Sequence, residues 1–366
     1  MIQNNEPRID TIAEQFMIQG EIASIRAYGS GHINDTYLVT MEDTTHYILQ
    51  KMNTDIFANP DELMENVCRV TSYLREKIIT QGGNPGRETI TVIRTVKDEA
   101  YYSTPDKQCY RMYNFIEDAT SYDQVESAED FYQSAVSFGK FQALLKDYPA
   151  ETLHETIPDF HNTVKRFQAF KQAVEADSCN RVQYAKPEID FVLAHEPDMH
   201  ILCDMRGKGE LPLRVTHNDT KLNNIMIDNT TRTGICVIDL DTVMPGLSLY
   251  DFGDSIRFGA STAAEDETDI SKVEMDLKLY EVYVKGYLEG CNGSLTKEEC
   301  RMLPMGAKTM TLECGMRFLT DYLQGDTYFK IHRENHNLDR CRTQFALVAD
   351  MERKWNEMAA IVTRYC

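Results

Sequence analysis

The chain has 366 residues, 42% of them hydrophobic and 10% aromatic, and its 38 Lys and Arg against 58 Asp and Glu give a formal charge of −20. That apolar content excludes intrinsic disorder for the bulk of the chain, and the acid excess excludes a dedicated nucleic-acid binder, whose phosphate contacts need a basic face. The length exceeds what one core usually fills, so two lobes are expected. Ten cysteines include no C-x-x-C pair, and Met1 is followed by no cationic, apolar leader. No run approaches the roughly 18 apolar residues that span a bilayer. These features predict a reduced, cytoplasmic protein without membrane or nucleic-acid partners, either a monomer or a homodimer.

In chain order, strands are expected over Glu21–Ile25, Ile33–Val39 and Tyr47–Lys51, the last two joined by the polar turn Glu42-Asp43-Thr44-Thr45. After Asn59-Pro60-Asp61 the apolar residues Leu63, Val67, Val70 and Leu74 recur at helical spacing. A further strand pair is expected across Thr89–Val96 and Gln108–Ile116. Beyond it the periodicity becomes helical: Phe131 to Leu145, Phe160 to Val174, Leu277 to Tyr287, and Phe345 to Met358 with Trp355 on its apolar face. Short strands are expected at Arg214–His217, Ile225–Ile227 and Cys236–Leu240. The predicted fold class is α+β and bilobal: a small, mostly antiparallel β lobe with one inserted helix, then a larger, mainly helical lobe.

The strongest chemical signal is Val215-Thr216-His217-Asn218-Asp219-Thr220-Lys221-Leu222-Asn223-Asn224-Ile225, an H-x-D with Asn five residues after the Asp, flanked by apolar strands. Phosphoryl transfer needs a carboxylate to orient the attacking hydroxyl and an amide oxygen to hold a metal on the phosphates. Asp219 and Asn224 suit those roles, and Lys221 would face developing phosphate charge. The alternative is a hairpin with a polar turn. Twenty residues on, Ile238-Asp239-Leu240-Asp241 follows a short apolar run, and Asp239 is the expected metal-binding carboxylate. Asp241 either supports the metal, facing the same way in an extended chain, or caps the turn before Pro245-Gly246. Asp251-Phe252-Gly253 carries the letters of a kinase metal motif, but it follows a Pro-Gly loop rather than a buried strand. Asp251 therefore reads as a structural carboxylate that bonds backbone near the catalytic loop or caps the next helix.

Tyr28-Gly29-Ser30-Gly31-His32 joins two predicted strands and can bring backbone N–H groups close to phosphates. It is neither a dinucleotide fingerprint nor a Walker loop. Lys51, ending the third strand, is placed to reach the phosphates, with Glu65 on the following helix as its candidate partner; an exposed edge lysine and a solvated glutamate are the plain alternatives.

Gly29 to His32, Lys51, His217 to Asn224 and Ile238 to Asp241 together resemble the aminoglycoside phosphotransferase and choline kinase superfamily, whose fold is protein-kinase-like. Longer runs, Val237-Ile238-Asp239-Leu240-Asp241-Thr242-Val243-Met244-Pro245-Gly246, Tyr250 to Gly259 and Arg317 to Phe329, look like the N-acetylhexosamine 1-kinases. The resemblance implies a five-stranded nucleotide-binding lobe over 1–112, a hinge over 113–117 and a catalytic and substrate-binding lobe over 118–366. ATP would lie in the interlobe cleft, its phosphates near Gly29, Ser30, Gly31 and Lys51, and its adenine against Tyr113, Asn114 and Phe115. It also implies magnesium on Asn224 and Asp239, and a sugar site lined by His32, Asp219, Arg317, Tyr328 and Trp355. Arg and Tyr give directional hydrogen bonds to hydroxyls and an aromatic face stacks on a sugar's C–H surface. A structural ion pair for Arg317 is equally consistent with the sequence, and for Trp355 its place on the apolar face of a terminal helix favours a core role.

The implied reaction moves the γ-phosphate of ATP to the anomeric hydroxyl of N-acetylglucosamine or N-acetylgalactosamine, for amino sugar salvage. One rival is the same fold acting on another hydroxyl, in choline, homoserine or an aminoglycoside; a cationic acceptor needs acids and aromatics, and 260–270 is acid-rich, although its composition suits a solvated loop. Another is a catalytically silent, kinase-like binding module, against which Asp219, Asn224 and Asp239 together speak.

Overall fold

The structure, a computed structural model, describes residues 8–29, 33–122 and 127–366. The first third runs α1 (Ile9–Ala13), β1 (Ile22–Ala27), β2 (Asp35–Met41), β3 (His46–Lys51), α2 (Pro60–Thr80), α3 (Pro85–Glu88), β4 (Val92–Ile93), β5 (Tyr102–Ser103), β6 (Cys109–Asn114) and β7 (Ala119–Thr120). Then follow α4 (Ala128–Leu144), α5 (Thr163–Ala176), α6 (Lys186–Ala194), α7 (Glu196–Gly207), β8 (Arg214–Thr216), β9 (Ile225–Asp228), β10 (Gly234–Val237) and β11 (Met244–Gly246). The chain ends in helices α8 (Ser248–Gly259), α9 (Leu277–Cys291), α10 (Lys297–Gln324), α11 (His336–Arg353) and α12 (Trp355–Tyr365).

The chain divides into two compact units. The first comprises residues 1–120, 153–158 and 226–243, so two later segments join the N-terminal part; the second holds 121–152, 159–225 and 244–366. In the first unit an antiparallel sheet has the strand order β1-β2-β3-β6-β4, with β5 also on β6. Side chains alternate between its faces. Val39, Met41, Leu49, Tyr110 and Met112 pack with Ile12, Ala13 and Phe16 of the α1 region on one face. On the other, Arg111 reaches the Met64 sulfur of α2. That helix starts where the sequence expects it: Asn59 accepts the Glu62 N–H and Pro60 fills the first helical position. A smaller sheet joins β7, β9 and β10.

The second unit is helical around α10. A methyl group at Gly139 of α4 would collide with the Tyr287 carbonyl and Cys291 amide of α9, and one at Gly290 would meet the Val136 carbonyl. The two helix backbones therefore touch, and only glycine fits at the crossing. Helix α10 begins with a Thr296–Glu299 capping box and ends at Gly325 in the left-handed region (φ 101°). Its 28 residues are buried on nearly every side, so no apolar stripe marks it in the sequence, and Pro304 lies inside it. The predicted C-terminal helix is two helices: α11 stops at Arg353, and Trp355 opens α12. Gly139→Ala is expected to lower stability by about 1–3 kcal/mol, the usual cost of overpacking, read as a lower urea midpoint.

Candidate active site

In the second unit, β8 delivers the chain into the segment His217–Lys221. The Asp251 carboxylate, near the start of α8, holds its entrance: it accepts the His217 N–H at 3.0 Å and the Asn218 N–H at 2.8 Å. Gln142 of α4 donates to the same carboxylate and to the Val215 carbonyl, each at 2.9 Å. Asp254 accepts the Thr220 N–H at 2.9 Å, and the Ser255 hydroxyl donates to the Thr220 carbonyl at 2.7 Å. These bonds hold Asn218 at φ 65°, a turn that few residues other than glycine, Asn and Asp adopt. Burial pushes the Asp251 carboxyl up, and the backbone N–H donors oppose that shift. Asp251 is thus a structural carboxylate that bonds the backbone of the segment His217–Lys221, as its Pro-Gly context predicts.

Asp219, Lys221 and Asn224 come together at the exit of this loop. Lys221 Nζ lies 2.8 Å from Asp219 Oδ1. The Asn224 amide donates to Asp219 Oδ2 at 3.1 Å and to its carbonyl at 2.8 Å. That turns the Asn224 oxygen away from Asp219. The Asp219 side chain is 30% exposed, so a hydroxyl can reach it. Burial alone would raise its pKa, but the Lys221 ammonium, His217 and the Asn224 amide together hold the carboxyl below its usual range. Lys221 in turn is pushed up to about 12: burial opposes the shift, and Asp219 with Asp254 drives it.

Asp239 and Asp241 belong to the first unit. Strand β10 ends at Val237, and Asp239 then takes a left-handed conformation, φ 58° and ψ 62°. For a residue other than glycine this stores about 1–2 kcal/mol. A 3-10 turn over Leu240–Thr242 follows, so Asp241 does not continue an extended chain beside Asp239. Instead Asp241 Oδ1 sits 2.5 Å from Arg111 Nη1, with both side chains buried, and Oδ2 accepts from the Asn34 amide at 2.8 Å. Freeing Asp241 for a metal would break a buried ion pair, a cost of about 3–5 kcal/mol. Asn224 and Asp239 carry hard oxygen donors of the kind magnesium takes.

Two expectations in this unit need correction. Lys51 alternates with Gln50 along β3 and pairs across to Tyr110, so it lies on the face of Leu49, Tyr110 and Met112, opposite Arg111. Glu65 does not pair with it: that carboxylate binds Arg69 and His154, the latter at 2.8 Å. Gly29 takes φ 77°, the backbone freedom its turn requires. Ser30, Gly31 and His32 lie outside the described residues. In the segment expected as the hinge, Phe115 packs edge-on against Tyr28 at 5.9 Å, and Tyr113 is buried. The Asn114 side chain is taken up by the Thr91 N–H and the Gly86 carbonyl.

Arg317, Tyr328 and Trp355, expected to line a sugar site, belong to the second unit. The Arg317 guanidinium sits over the rings of Phe160 (5.1 Å), Phe329 (5.5 Å) and Tyr328 (5.8 Å), and no carboxylate pairs with it among the described residues. Tyr328 is held by a residue that motif spacing does not reveal. The Asp321 carboxylate accepts the N–H groups of Thr327, Tyr328 and Phe329 at 2.8–2.9 Å, and Asn337 buttresses it. The only sequence signal for this clamp is an Asp five residues before Asp326-Thr327. Trp355 is half-buried and makes no ring contact with Tyr328 or Arg317 among the described residues. The acidic segment is not freely solvated: Glu265 pairs with Arg257 (2.7 Å) and Arg340, Asp266 with His336 (3.1 Å), and Glu267 with Lys272.

The fold is protein-kinase-like, and its two loops carry the residue types of a phosphotransferase. Residues 24–283 match the phosphotransferase enzyme family (APH). The chain belongs to that family. Among solved structures it is similar to a microcompartment-associated aminopropanol kinase (14% identity, TM-score 0.58, covering 96% of this chain and 98% of that one). It is also similar to amicoumacin kinase hAmiN in complex with AMP-PNP, Ca2+ and Ami (13%, 0.61, 93% and 93%), and to an aminoglycoside phosphotransferase from Alicyclobacillus acidocaldarius (11%, 0.60, 97% and 95%). Among the described residues no helix is long and apolar enough to cross a membrane.

Asp251→Asn replaces one acceptor oxygen by an N–H donor, which then opposes either the Asn218 N–H or the His217 N–H with Gln142, and we expect a stability loss of about 1–3 kcal/mol with a fall in kcat, read by denaturation and steady-state kinetics. Lys221→Met removes the charge that depresses the Asp219 carboxyl, so the acid limb of kcat/KM should move to higher pH. In the parent protein the depressed carboxyl contributes stability above the unfolded value near 3.9, and that contribution disappears as pH falls through the lower native value.

Proposed function

We propose that this phosphotransferase moves the γ-phosphoryl group of ATP to the anomeric C1 hydroxyl of an N-acetylhexosamine, N-acetylglucosamine or N-acetylgalactosamine, giving the sugar 1-phosphate. The observation that carries the reading is the charge around Arg317. A guanidinium that no carboxylate pairs with among the described residues, flanked by three rings, suits an uncharged, hydroxyl- and amide-bearing ring. It repels an ammonium. The nearby acids that a cationic acceptor would need, Glu265, Asp266 and Glu267, already pair with Arg257, Arg340, His336 and Lys272.

In this mechanism Asp219 accepts a hydrogen bond from the C1 hydroxyl and takes its proton as the C1 oxygen–phosphorus bond forms and the bond from the γ-phosphorus to the bridging oxygen breaks, releasing ADP. Lys221 keeps Asp219 ionised before the reaction and offsets negative charge during it. Arg317 and Tyr328 orient the sugar through its oxygens. Asn224 and Asp239 are the residues that would hold magnesium, which supplies charge neutralisation on the β- and γ-phosphates when bound. Positioning and electrostatics then account for most of the rate.

Asp219→Asn should reduce kcat by about 10²–10⁴-fold, the range for a general base, while ADP affinity stays near that of the parent protein. ATP consumption across N-acetylglucosamine, N-acetylgalactosamine, galactose and choline, with NMR of the product, tests the acceptor. An acid-labile, alkali-stable phosphate on C1 supports the proposal; turnover with choline alone overturns it.

A further inference from the structure

Kinase-type sites place a lysine on the third strand to serve the nucleotide phosphates. On β3 of this protein, the residue facing α2 is Gln50, which carries no charge, and Lys51 faces the other way. The cation on that inner face comes from the neighbouring strand. Arg111 of β6 pairs directly across from Gln50. Its Nε and Nη2 donate to Gln50 Oε1 at 3.0 and 2.9 Å, and its Nη1 lies 2.5 Å from Asp241. Asp241 also accepts from Asn34, whose own amide oxygen accepts the Asn53 N–H at 3.0 Å. Asn66 of α2 donates to the Val243 carbonyl at 3.0 Å, at the end of the same turn. Arg111 is 1% exposed, too deep to meet a solvent-borne ligand. Its guanidinium therefore acts on the turn that carries Asp239 and Asp241.

We propose that Arg111 is the positioning cation of the nucleotide-handling unit, supplied by β6 in place of a lysine on β3. By holding Asp241 in an ion pair it anchors the turn from its far side. Asp239, two residues earlier in its left-handed conformation, is then the carboxylate offered to the nucleotide's divalent ion. The proposal rests on the ATP and magnesium chemistry above but not on the identity of the acceptor. It also gives Asp241 a role that needs no metal contact.

The test is calorimetric titration of ADP, with and without magnesium, into the full chain and its variants; the readout is the metal-linked gain in affinity, together with the thermal midpoint of the ligand-free protein. Arg111→Met should cut that gain at least tenfold. Were Asp241 itself the metal ligand and Arg111 only its neutraliser, the freed carboxylate would leave the gain unchanged or enlarge it, and either result overturns the proposal. Because Arg111→Met strands a buried acid and can fail to fold, Gln50→Lys/Arg111→Met is read beside it. It returns a cation to the same face, within reach of Asp241. A normal thermal midpoint with the gain restored to within about threefold supports the proposal; a normal midpoint with no recovery overturns it. Lys51→Met is the counter-test, and a loss as large as that of Arg111→Met assigns the role to Lys51 instead. A parent protein that binds no ADP under any condition overturns the phosphoryl-transfer reading and this proposal together, whereas the other adverse results overturn this proposal alone.

Discussion

One buried carboxylate organises the chemistry of the second unit. Asp251 is almost wholly removed from water, and a lone carboxylate in that setting is costly unless its lone pairs are filled. Here they are filled by two consecutive backbone N–H groups and by Gln142. The same bonds that solvate the acid dictate the path of His217 and Asn218, and so the place where Asp219 emerges. Gln142 occupies its position because α4 crosses α9 at glycines with no side chain between the backbones. A contact between two helices is thereby transmitted, through one amide, to the loop that carries the candidate base.

The two units solve the same problem of buried charge with different partners. Asp251 relies on peptide dipoles and stays close to the backbone it shapes. Asp241 relies on a guanidinium and joins segments far apart in sequence: the end of the glycine loop through Asn34 and the sheet through Arg111. In the second unit Arg214 similarly pairs with Glu299, which also accepts from Ser248. Such pairs contribute little net stability compared with apolar packing, yet breaking one leaves a charge in a dry interior. They specify geometry more than they strengthen the fold.

The sequence exposes what periodicity and local chemistry encode. Leu63, Val67, Val70 and Leu74 mark α2 because one of its faces is solvated, and the loop of Asp219, Lys221 and Asn224 is legible because its polar letters interrupt apolar strands. Asp251 is separable from a metal-binding aspartate because a Pro-Gly loop precedes it. The parity of β3 was not legible: whether Gln50 or Lys51 faces α2 depends on register with β6, a long-range property. Arg111 is hidden for the same reason, since a charged residue in a strand ordinarily reads as solvent-facing. Asp241 points away from its expected direction because the left-handed turn at Asp239 breaks the extended chain that the alternation rule assumes. Helix α10 escapes pattern reading because a helix buried on all sides has no stripe to detect.

That helix has a further consequence for how this chain can change over time. Glu299, Lys308, Glu313, Arg317 and Asp321 each meet a different neighbour around its circumference: Arg214, Asp198, His161, the ring of Phe160 and the backbone of 327–329. Adding or deleting one residue midway would turn everything beyond it by about 100°, misdirecting every later partner at once. The helix is therefore a ruler of fixed length, tolerant of exchanges in residue type but closed to insertions and deletions. Innovation in chain length must fall outside it.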